Sequence, residues 1–413
     1  MRKMGRFIVI VLDSFGVGAM EDVPEVRPAD MGSNTALHII ERKPNIKIDT
    51  LVELGLMNAI GEETNRLKFS SKANWGKANL GHQGADSFLG HQEIMGTTPP
   101  IPLNQAFSEI IDEVEHYLKE AGYHVRREGA EGEPKILVVN DSATVGDNLE
   151  TDLGQVFNVS ACLDLMPFEE VKKLGKAVRE VVKVSRVIAF GGEEIRLNDL
   201  LNARKVIGNK FAGVDAPESG VYNTGYQVIH LGYGIDPEVQ IPTILDHESI
   251  PVTLVGKVGD IVQTSSPYVF LGVDSDDLFD SLTSQIKKIN TGFFCLNIQE
   301  TDLAGHAENV DRYADRLEVS DKRIKELIPL LNEEDILIVT ADHGNDPTIG
   351  HSQHTREYVP LLIYRKGMEG HEVGIRNNMS DTAATAAEFF NVKKPQHGVP
   401  YLNLIQNHED SIN

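Results

Sequence analysis

Residues 7–13 of the chain read Phe-Ile-Val-Ile-Val-Leu-Asp. The first six are apolar and mostly β-branched, which is typical of a central parallel strand that is buried on both faces. The run ends at Asp13, so it is too short for the core of a signal peptide and far short of the about 20 apolar residues that span a membrane. We therefore predict a buried first strand with a carboxylate at its carboxyl end.

Similar apolar runs recur along the chain: Ile136–Val139, Arg186–Phe190, Val252–Val255, Phe293–Ile298, Ile336–Thr340 and Val359–Tyr364. Amphipathic helical patterns also recur, at Gln105–Ala121, Phe168–Val182, Val310–Leu331 and Ser380–Phe390. This alternation of strands and helices predicts an α/β fold with a mainly parallel central sheet flanked by helices.

The alternation is interrupted in the middle of the chain. From about residue 105 to residue 235 the sequence is more charged and less regular, and regular alternation resumes near Ile241. We predict a core made of residues 1–104 and 236–413, with residues 105–235 inserted as a smaller α/β cap domain. The length of 413 residues agrees with two or three domains of about 150 residues each.

The composition is that of a globular protein, with 41% hydrophobic and 24% charged residues. Lys and Arg number 39 against 62 Asp and Glu, which gives a formal net charge of −23. Such acidity disfavours nucleic-acid backbones and anionic membrane surfaces as partners. Cys162 and Cys295 are far apart and lack a metal or redox spacing, which predicts reduced thiols and a cytoplasmic location.

The clearest chemical motif is Thr-Ala-Asp-His-Gly-Asn-Asp at residues 340–346, directly after an apolar run. Ligands of open α/β sheets bind outside the carboxyl ends of the strands, where Asp342 and His343 are expected. A carboxylate beside an imidazole suits a divalent transition metal. An isolated pair could equally be a helix cap and a packed histidine, so the other strand ends decide between the two interpretations.

Other strand ends carry the same residue types, and so does the glycine-containing loop that follows Asp342. The further candidates are Asp13, Asp302, His306 and either His351 or His354. Six such residues that converge on one sheet edge could hold two metal ions about 3.5–4 Å apart. We therefore predict a two-metal site at this edge.

A candidate nucleophile lies in the glycine-bounded segment 84–96, which follows a weak strand pattern. On its own, a serine in such a segment is usually a surface turn residue. A serine hydroxyl is a poor nucleophile at its free pKa, but metal coordination can activate it. Beside two metal ions, Ser87 is the best nucleophile candidate in the chain.

Together these motifs resemble phosphopentomutases of the alkaline phosphatase superfamily. The resemblance rests on VLDSFGVGAMEDV with GSNTALHI, GADSFLGHQEIMG, LVGKVGDI and TADHGNDP with HTREYVPLL, which occur in this order. It implies an alkaline-phosphatase-like core with the metal ligands Asp13, Asp302, His306, Asp342, His343 and His354. His354 is favoured over His351 because HTREYVP matches the family. The resemblance also places Ser87 at the family's phosphorylated threonine and implies that Lys257 contacts a substrate phosphate.

Some features are more similar to cofactor-independent phosphoglycerate mutase, a related family. Asp302 and His306 are one residue closer than is usual in phosphopentomutases, and the nucleophile position holds Ser rather than Thr. The family's arginine-rich stretch in the inserted domain is replaced by NKFAGVDAPESGVYNTGYQ at residues 209–227, which has little positive charge.

The resemblance implies a mutase that interconverts ribose 1-phosphate and ribose 5-phosphate through a phosphoserine. This reaction would use two divalent ions, expected to be Mn²⁺, and a sugar bisphosphate as primer. Closure of the inserted domain over the core would exclude water, so that transfer exceeds hydrolysis. The alternatives are a mutase for another phosphosugar, a phosphohydrolase or phosphodiesterase on the same two-metal core, and a metal-binding module without catalysis.

Overall fold

The computed structural model describes residues 5–150 and 153–406. The chain divides into two compact units, which we call the core unit (Met1–Pro99 with Asp236–Asn413) and the inserted unit (Pro100–Ile235). Within the described ranges, no helix combines the length and the apolar character that crossing a membrane requires.

The described residues form sixteen strands, β1 to β16 in chain order: Arg6–Leu12, Asn74–Ala78, Val125–Glu128, Ile136–Val139, Ala143–Asp147, Val156–Cys162, Arg186–Gly192, Arg204–Ile207, Phe211–Val214, Gln227–Gly232, Val252–Val255, Tyr268–Phe270, Gly292–Ile298, Ile336–Thr340, Val359–Tyr364 and Glu372–Arg376. The same residues form fifteen α-helices, α1 to α15: Val23–Val26, Thr35–Arg42, Asp49–Glu53, Leu56–Ile60, Ser87–Ile94, Ile111–Glu120, Phe168–Val181, Leu197–Asn202, Ala216–Ser219, Ile241–His247, Val258–Ile261, Ser275–Lys288, Glu300–His306, Val310–Leu327 and Ser380–Phe390. Short 3-10 turns lie at Pro28–Asp30, Phe107–Glu109, Pro237–Val239, Ile328–Leu330 and Leu402–Ile405.

The core unit is built on an eight-stranded sheet in the order β12-β11-β13-β1-β14-β15-β2-β16. β1 is buried along its whole length and pairs in parallel with β13 and β14, with Arg6 opposite Gly292 and Phe7 opposite Ile336. The predicted α/β class with a mainly parallel sheet is confirmed. The exception is β15, which runs antiparallel to both β14 and β2.

Two predicted helices are shorter in the structure. The pattern predicts a helix over 105–121, but α6 begins only at Ile111, because Ile110 has a φ of −126° and separates α6 from the preceding 3-10 turn. The pattern also predicts a helix over 310–331, but α14 ends at Leu327. Pro329 has no amide hydrogen for a helical bond, so the chain continues as a 3-10 turn.

The inserted unit contains a six-stranded sheet in the order β10-β7-β6-β5-β4-β3, in which only β6 and β7 are parallel. Helices α6 and α7 bury apolar side chains such as Val114, Leu118 and Leu174 in a core that also contains Val159 of the sheet. A smaller apolar cluster includes Phe190 and residues of the β8–β9 hairpin.

The site is positioned by three neighbouring parallel strands of the core unit. β13, β1 and β14 end at Ile298, Leu12 and Thr340. Because the carboxyl ends of parallel strands meet at the same edge, the polar residues that follow each strand are brought together there.

Candidate metal centre and nucleophile

A first ligand group consists of Asp13, Asp342 and His343, which follow β1 and β14 and are fully buried. His343 Nε2 lies 3.6 Å from Asp13 Oδ1 and 3.3 Å from Asp342 Oδ2. Both Asp13 Oδ1 and His343 Nε2 are buried without a hydrogen-bond partner among the described residues. Buried polar atoms normally have partners, so this pair fits a cation held between carboxylate and imidazole.

A second ligand group consists of Asp302, His306 and His354. The i,i+4 spacing of Asp302 and His306 places both on one face of α13, and His354 comes from the loop between β14 and β15. His306 Nε2 lies 3.4 Å from Asp302 Oδ2, and His354 Nε2 lies 3.4 Å from Asp302 Oδ1. The two Nε2 atoms are 2.9 Å apart. One ion could therefore be bound by all three side chains.

Each imidazole of these groups is oriented by a main-chain carbonyl oxygen near its Nδ1: that of Ser352 for His306 (2.7 Å), of Gly344 for His343 (2.9 Å) and of Ala85 for His354 (2.7 Å). A carbonyl oxygen only accepts, so each Nδ1 carries a proton, and each imidazole in its neutral form would present the Nε2 lone pair to the site. Metal-binding histidines have this arrangement. The two Nε2 atoms that are 2.9 Å apart need either a shared proton or a bound cation, since two lone pairs at this distance would repel each other.

Burial and neighbouring charges shift the protonation of the first ligand group. Burial raises the pKa of Asp13 to about 6, and the Asp342 carboxylate adds to this rise. Burial alone would lower the pKa of His343, but Asp342 outweighs it and raises that pKa to about 9. The carboxylates thus draw positive charge to this edge, and a divalent ion would compete with the His343 proton. Two such ions would give this acidic protein a locally positive site.

Ser87 is the first residue of α5 and is 6% exposed. Its Oγ donates a hydrogen bond of 2.6 Å to Asp342 Oδ2, in the first ligand group. Asp86 caps the helix by accepting from the Leu89 amide at 2.8 Å. The hydroxyl therefore lies at the positive end of a helix, which favours a phosphoryl group there.

Lys257 lies close to both ligand groups. Its Nζ donates to Asp13 Oδ2 at 3.0 Å and lies 4.0 Å from Asp302 Oδ2. Burial alone would lower the pKa of Lys257, but the carboxylates, Asp13 foremost, outweigh it and raise that pKa. The ammonium group therefore stays charged within the site.

Two further polar residues connect the members of the first ligand group. Asn297 Nδ2 donates to Asp13 Oδ2 at 3.0 Å and lies 2.9 Å from His91 Nε2. His91 Nδ1 lies 2.9 Å from the Ser87 carbonyl oxygen and 3.2 Å from Asp342 Oδ2. The sequence pattern places His91 near Ser87 but does not single out Asn297. The sequence feature that could have identified Asn297 is its position as the one polar residue in the apolar run Phe293–Ile298.

His351, the alternative to His354, makes different contacts. Its Nε2 lies 3.3 Å from Asp30 Oδ1, and its Nδ1 accepts from the Gln353 amide at 3.3 Å. The two histidines are three residues apart in one loop, which makes them a matched pair for an experiment.

We expect His354→Ala to lower the number of bound divalent ions from two to one per chain, because the second ligand group loses one of its three side chains. Activity should fall by about 100-fold or more, the usual cost of one lost electrostatic contact at an active site. His351→Ala should keep both ions and most of the activity. Metal analysis of the purified variants after dialysis against Mn²⁺ measures this, and equal metal loss in both variants would refute the choice of His354.

A family model described as the Metalloenzyme superfamily matches residues 5–394 of the chain. A phosphopentomutase of Clostridium kluyveri is 31% identical over 417 residues, which cover 97% of this chain and 100% of that protein. The chain belongs to the phosphopentomutase family. A second phosphopentomutase, from Caldanaerobacter subterraneus subsp. tengcongensis, is 33% identical over 412 residues and covers 96% of this chain and 97% of its own length.

Among solved structures, a phosphoglycerate mutase of Leishmania mexicana is 12% identical, covers 96% of this chain and 97% of that chain, and has a TM-score of 0.45. An alkaline phosphatase from the Antarctic bacterium TAB5 is 11% identical, covers 95% and 99%, and has a TM-score of 0.36. The sequence relatives confirm the predicted resemblance to phosphopentomutases. This phosphopentomutase-family chain is therefore an enzyme of the phosphomutase type that uses divalent metal ions.

Proposed function

We propose that this enzyme interconverts ribose 1-phosphate and ribose 5-phosphate through a phosphoserine at Ser87. The main support for the proposal is the 2.6 Å hydrogen bond from Ser87 Oγ to Asp342 Oδ2, because it places the proposed nucleophile in direct contact with the first ligand group. The named activity of the full-length relatives supports the pentose substrate.

In the proposed reaction each residue of the site has a defined role. Asp342 accepts the hydroxyl hydrogen of Ser87, which leaves an oxygen lone pair available to attack phosphorus. When bound to the six ligands, two divalent ions, which we propose are Mn²⁺, would lower the pKa of the Ser87 hydroxyl and neutralise phosphoryl charge. Lys257 is proposed to contact a substrate phosphate, since its ammonium group is charged within the site.

The proposed cycle is a transfer between hydroxyl groups. A sugar bisphosphate first phosphorylates Ser87: the new bond forms between phosphorus and Oγ, the bond to the sugar oxygen breaks, and that oxygen takes up a proton. The phosphoserine then passes the phosphoryl group to the free hydroxyl of the pentose monophosphate: the bond from phosphorus to Oγ breaks, and the proton of that hydroxyl goes to Oγ. The pentose bisphosphate formed in this way returns its other phosphoryl group to Ser87, which releases the isomeric monophosphate and restores the phosphoserine. Positioning and charge neutralisation supply most of the catalysis in such transfers. We assign this chemistry to residues 1–104 and 236–413 and a cap role to residues 105–235.

We also propose that the enzyme works in the cytoplasm on small phosphosugars and not on nucleic acid. The net charge of −23 opposes binding to phosphate backbones. Cys162 and Cys295 are both free and buried, which suits a reducing compartment.

The experiment that tests the proposal incubates the enzyme with Mn²⁺, a sugar bisphosphate primer and a panel of phosphosugars led by ribose 1-phosphate and ribose 5-phosphate. Isomerisation and release of inorganic phosphate are measured in the same samples. We expect the two pentose phosphates to interconvert much faster than phosphate is released. Phosphate release as the main reaction would make the enzyme a phosphohydrolase, and turnover of a different phosphosugar alone would reject the pentose.

A further inference from the structure

The segment that leads to Ser87 has no regular secondary structure. Residues 79–86, which we call the nucleophile loop, connect β2 with α5. The amides of Gly81 and His82 donate to the buried Glu93 carboxylate of α5, at 2.8 and 3.0 Å. Main-chain groups outside helices and sheets must find other partners when they are buried. In the nucleophile loop, the Glu93 carboxylate is the partner of these two amides.

The carbonyl side of the nucleophile loop is bound by Arg356. Its Nη1 donates to the carbonyl oxygens of His82 and Gly84, both at 2.8 Å, and its Nη2 donates to that of Leu80 at 3.1 Å. These are alternate residues of the loop, and Arg356 is only 6% exposed. One buried guanidinium group therefore fixes every second carbonyl group from Leu80 to Gly84, ahead of Ser87.

The remaining donors of Arg356 fix the guanidinium itself. Its Nε lies 3.0 Å from both carboxylate oxygens of Asp22, and its Nη2 donates to Asp22 Oδ2 at 2.9 Å. The Arg356 amide donates to the buried carboxylate of Asp30 at 2.8 Å. All five guanidinium N–H groups thus have an acceptor. Asp22 and Asp30, both from the segment that follows β1, hold the side chain and the main chain of Arg356 respectively.

Arg356 also lies two residues after His354, a proposed metal ligand. The Nδ1 of His354 donates to the carbonyl oxygen of Ala85, in the same nucleophile loop, at 2.7 Å. The short segment from His354 to Arg356 therefore contacts four carbonyl oxygens of the loop while it presents a nitrogen to the second ligand group.

We infer that Arg356 is a positioning residue, which sets the distance between the Ser87 hydroxyl and the metal ligands. This inference rests on the proposed function, in which Ser87 is the nucleophile. The planar, five-donor guanidinium can bind three carbonyl oxygens and a carboxylate at once, whereas a lysine ammonium has only three donors and no fixed fork. Arg356→Lys keeps the charge but loses this geometry, so the nucleophile loop should shift relative to the ligands.

The test measures phosphorylation of Ser87 by a radiolabelled sugar bisphosphate in single-turnover experiments on the Mn²⁺-loaded enzyme. Displacement of a reacting group by about 1 Å costs about 100-fold in rate. We expect Arg356→Lys to slow phosphorylation by about this factor, while both metal ions stay bound and the KM for the bisphosphate changes little. A purely structural role would instead lower thermal stability and leave the rate of the folded fraction unchanged.

Arg365→Lys is the matched control. Arg365 is also buried, follows the same strand β15 at its other end, and donates to the carbonyl oxygen of Ile405 at 2.8 Å. Its replacement should affect stability but not phosphorylation. Asp22→Asn is a milder second variant, because the Asp22 side chain is 39% exposed and the chain should fold without its charge. It should slow phosphorylation by about 10-fold, as loss of an outer partner typically does.

Three outcomes would overturn the inference about Arg356: an unchanged phosphorylation rate in Arg356→Lys or Asp22→Asn, an equal rate loss in Arg365→Lys, or loss of metal in step with loss of rate. If Arg356→Lys does not fold, Asp22→Asn decides alone. A wild-type enzyme that forms no phosphoserine would be a different result, since it would reject the proposed function and the inference with it.

Discussion

Replacing Ser87 by alanine should abolish the phosphoenzyme and lower mutase activity by about 10⁴-fold or more, the scale at which loss of a nucleophile acts in other enzymes. The physical reason is that the hydroxyl donates a hydrogen bond to Asp342 of the first ligand group, and alanine offers no group that could replace it as the nucleophile. Both metal ions should stay bound, because Ser87 is not among the six proposed ligands. Mass spectrometry of the enzyme after incubation with a sugar bisphosphate and Mn²⁺ measures the phosphoryl group directly.

Ser87→Thr is the matched control, since it retains a hydroxyl at the same position and stands for the threonine of phosphopentomutases. It should form the phosphoenzyme and keep measurable activity. A metal-dependent phosphoenzyme in Ser87→Ala would show that another side chain is the nucleophile.

The second large effect is expected for Asp342→Asn. The Asp342 carboxylate accepts from the Ser14 amide at 3.0 Å and from Ser87 Oγ at 2.6 Å, and it lies 3.3 Å from His343 Nε2. An amide in its place removes one negative charge from the first ligand group and presents N–H donors toward Ser87. We expect the first ligand group to lose its metal ion. Loss of one electrostatic contact lowers the rate by about 10²–10³-fold, and the loss of activity should be larger than this because the metal ion is lost as well.

Asp346→Asn provides the comparison for a general effect of removing a buried carboxylate. Asp346 is also fully buried, lies four residues further on, and accepts from the Asn34 amide at 3.0 Å while pairing with His38. Calorimetric titration with Mn²⁺ should show two sites in Asp346→Asn and one in Asp342→Asn. Two intact sites in Asp342→Asn would remove Asp342 from the ligand set.

The strands of the core sheet could be predicted closely from the sequence, because burial on both faces leaves long apolar runs. Val252–Val255, Ile336–Thr340 and Val359–Tyr364 have the predicted bounds. The direction of β15 could not be predicted, since an apolar run indicates burial but carries no sign of whether its neighbours are parallel. Helix ends were less predictable, because they depend on single residues such as Pro329.

Asp13, Asp342 and His343 could be predicted from sequence because they come within three residues of the ends of apolar strands, which a parallel sheet brings together. Asp302 and His306 lie on the short helix after β13, and His354 lies in a loop, so its choice over His351 depended on the resemblance to the family. Asn297 and Arg356 could not be found in this way. Asn297 lies inside a strand, and the carbonyl oxygens that Arg356 binds are more than 270 residues away in sequence. Their roles follow from tertiary contacts, which neither spacing nor composition reveals.

The central position of β1 in its sheet has a consequence for biosynthesis. β1 leaves the ribosome well before β13, because Gly292, the partner of Arg6, is 286 residues further along. At about 5–20 residues per second, the nascent chain carries this apolar strand for about 15–60 s before β13 emerges to pair with it. During that interval both edges of β1 lack their native neighbours, so we expect newly made chains to depend on chaperones before the sheet can close.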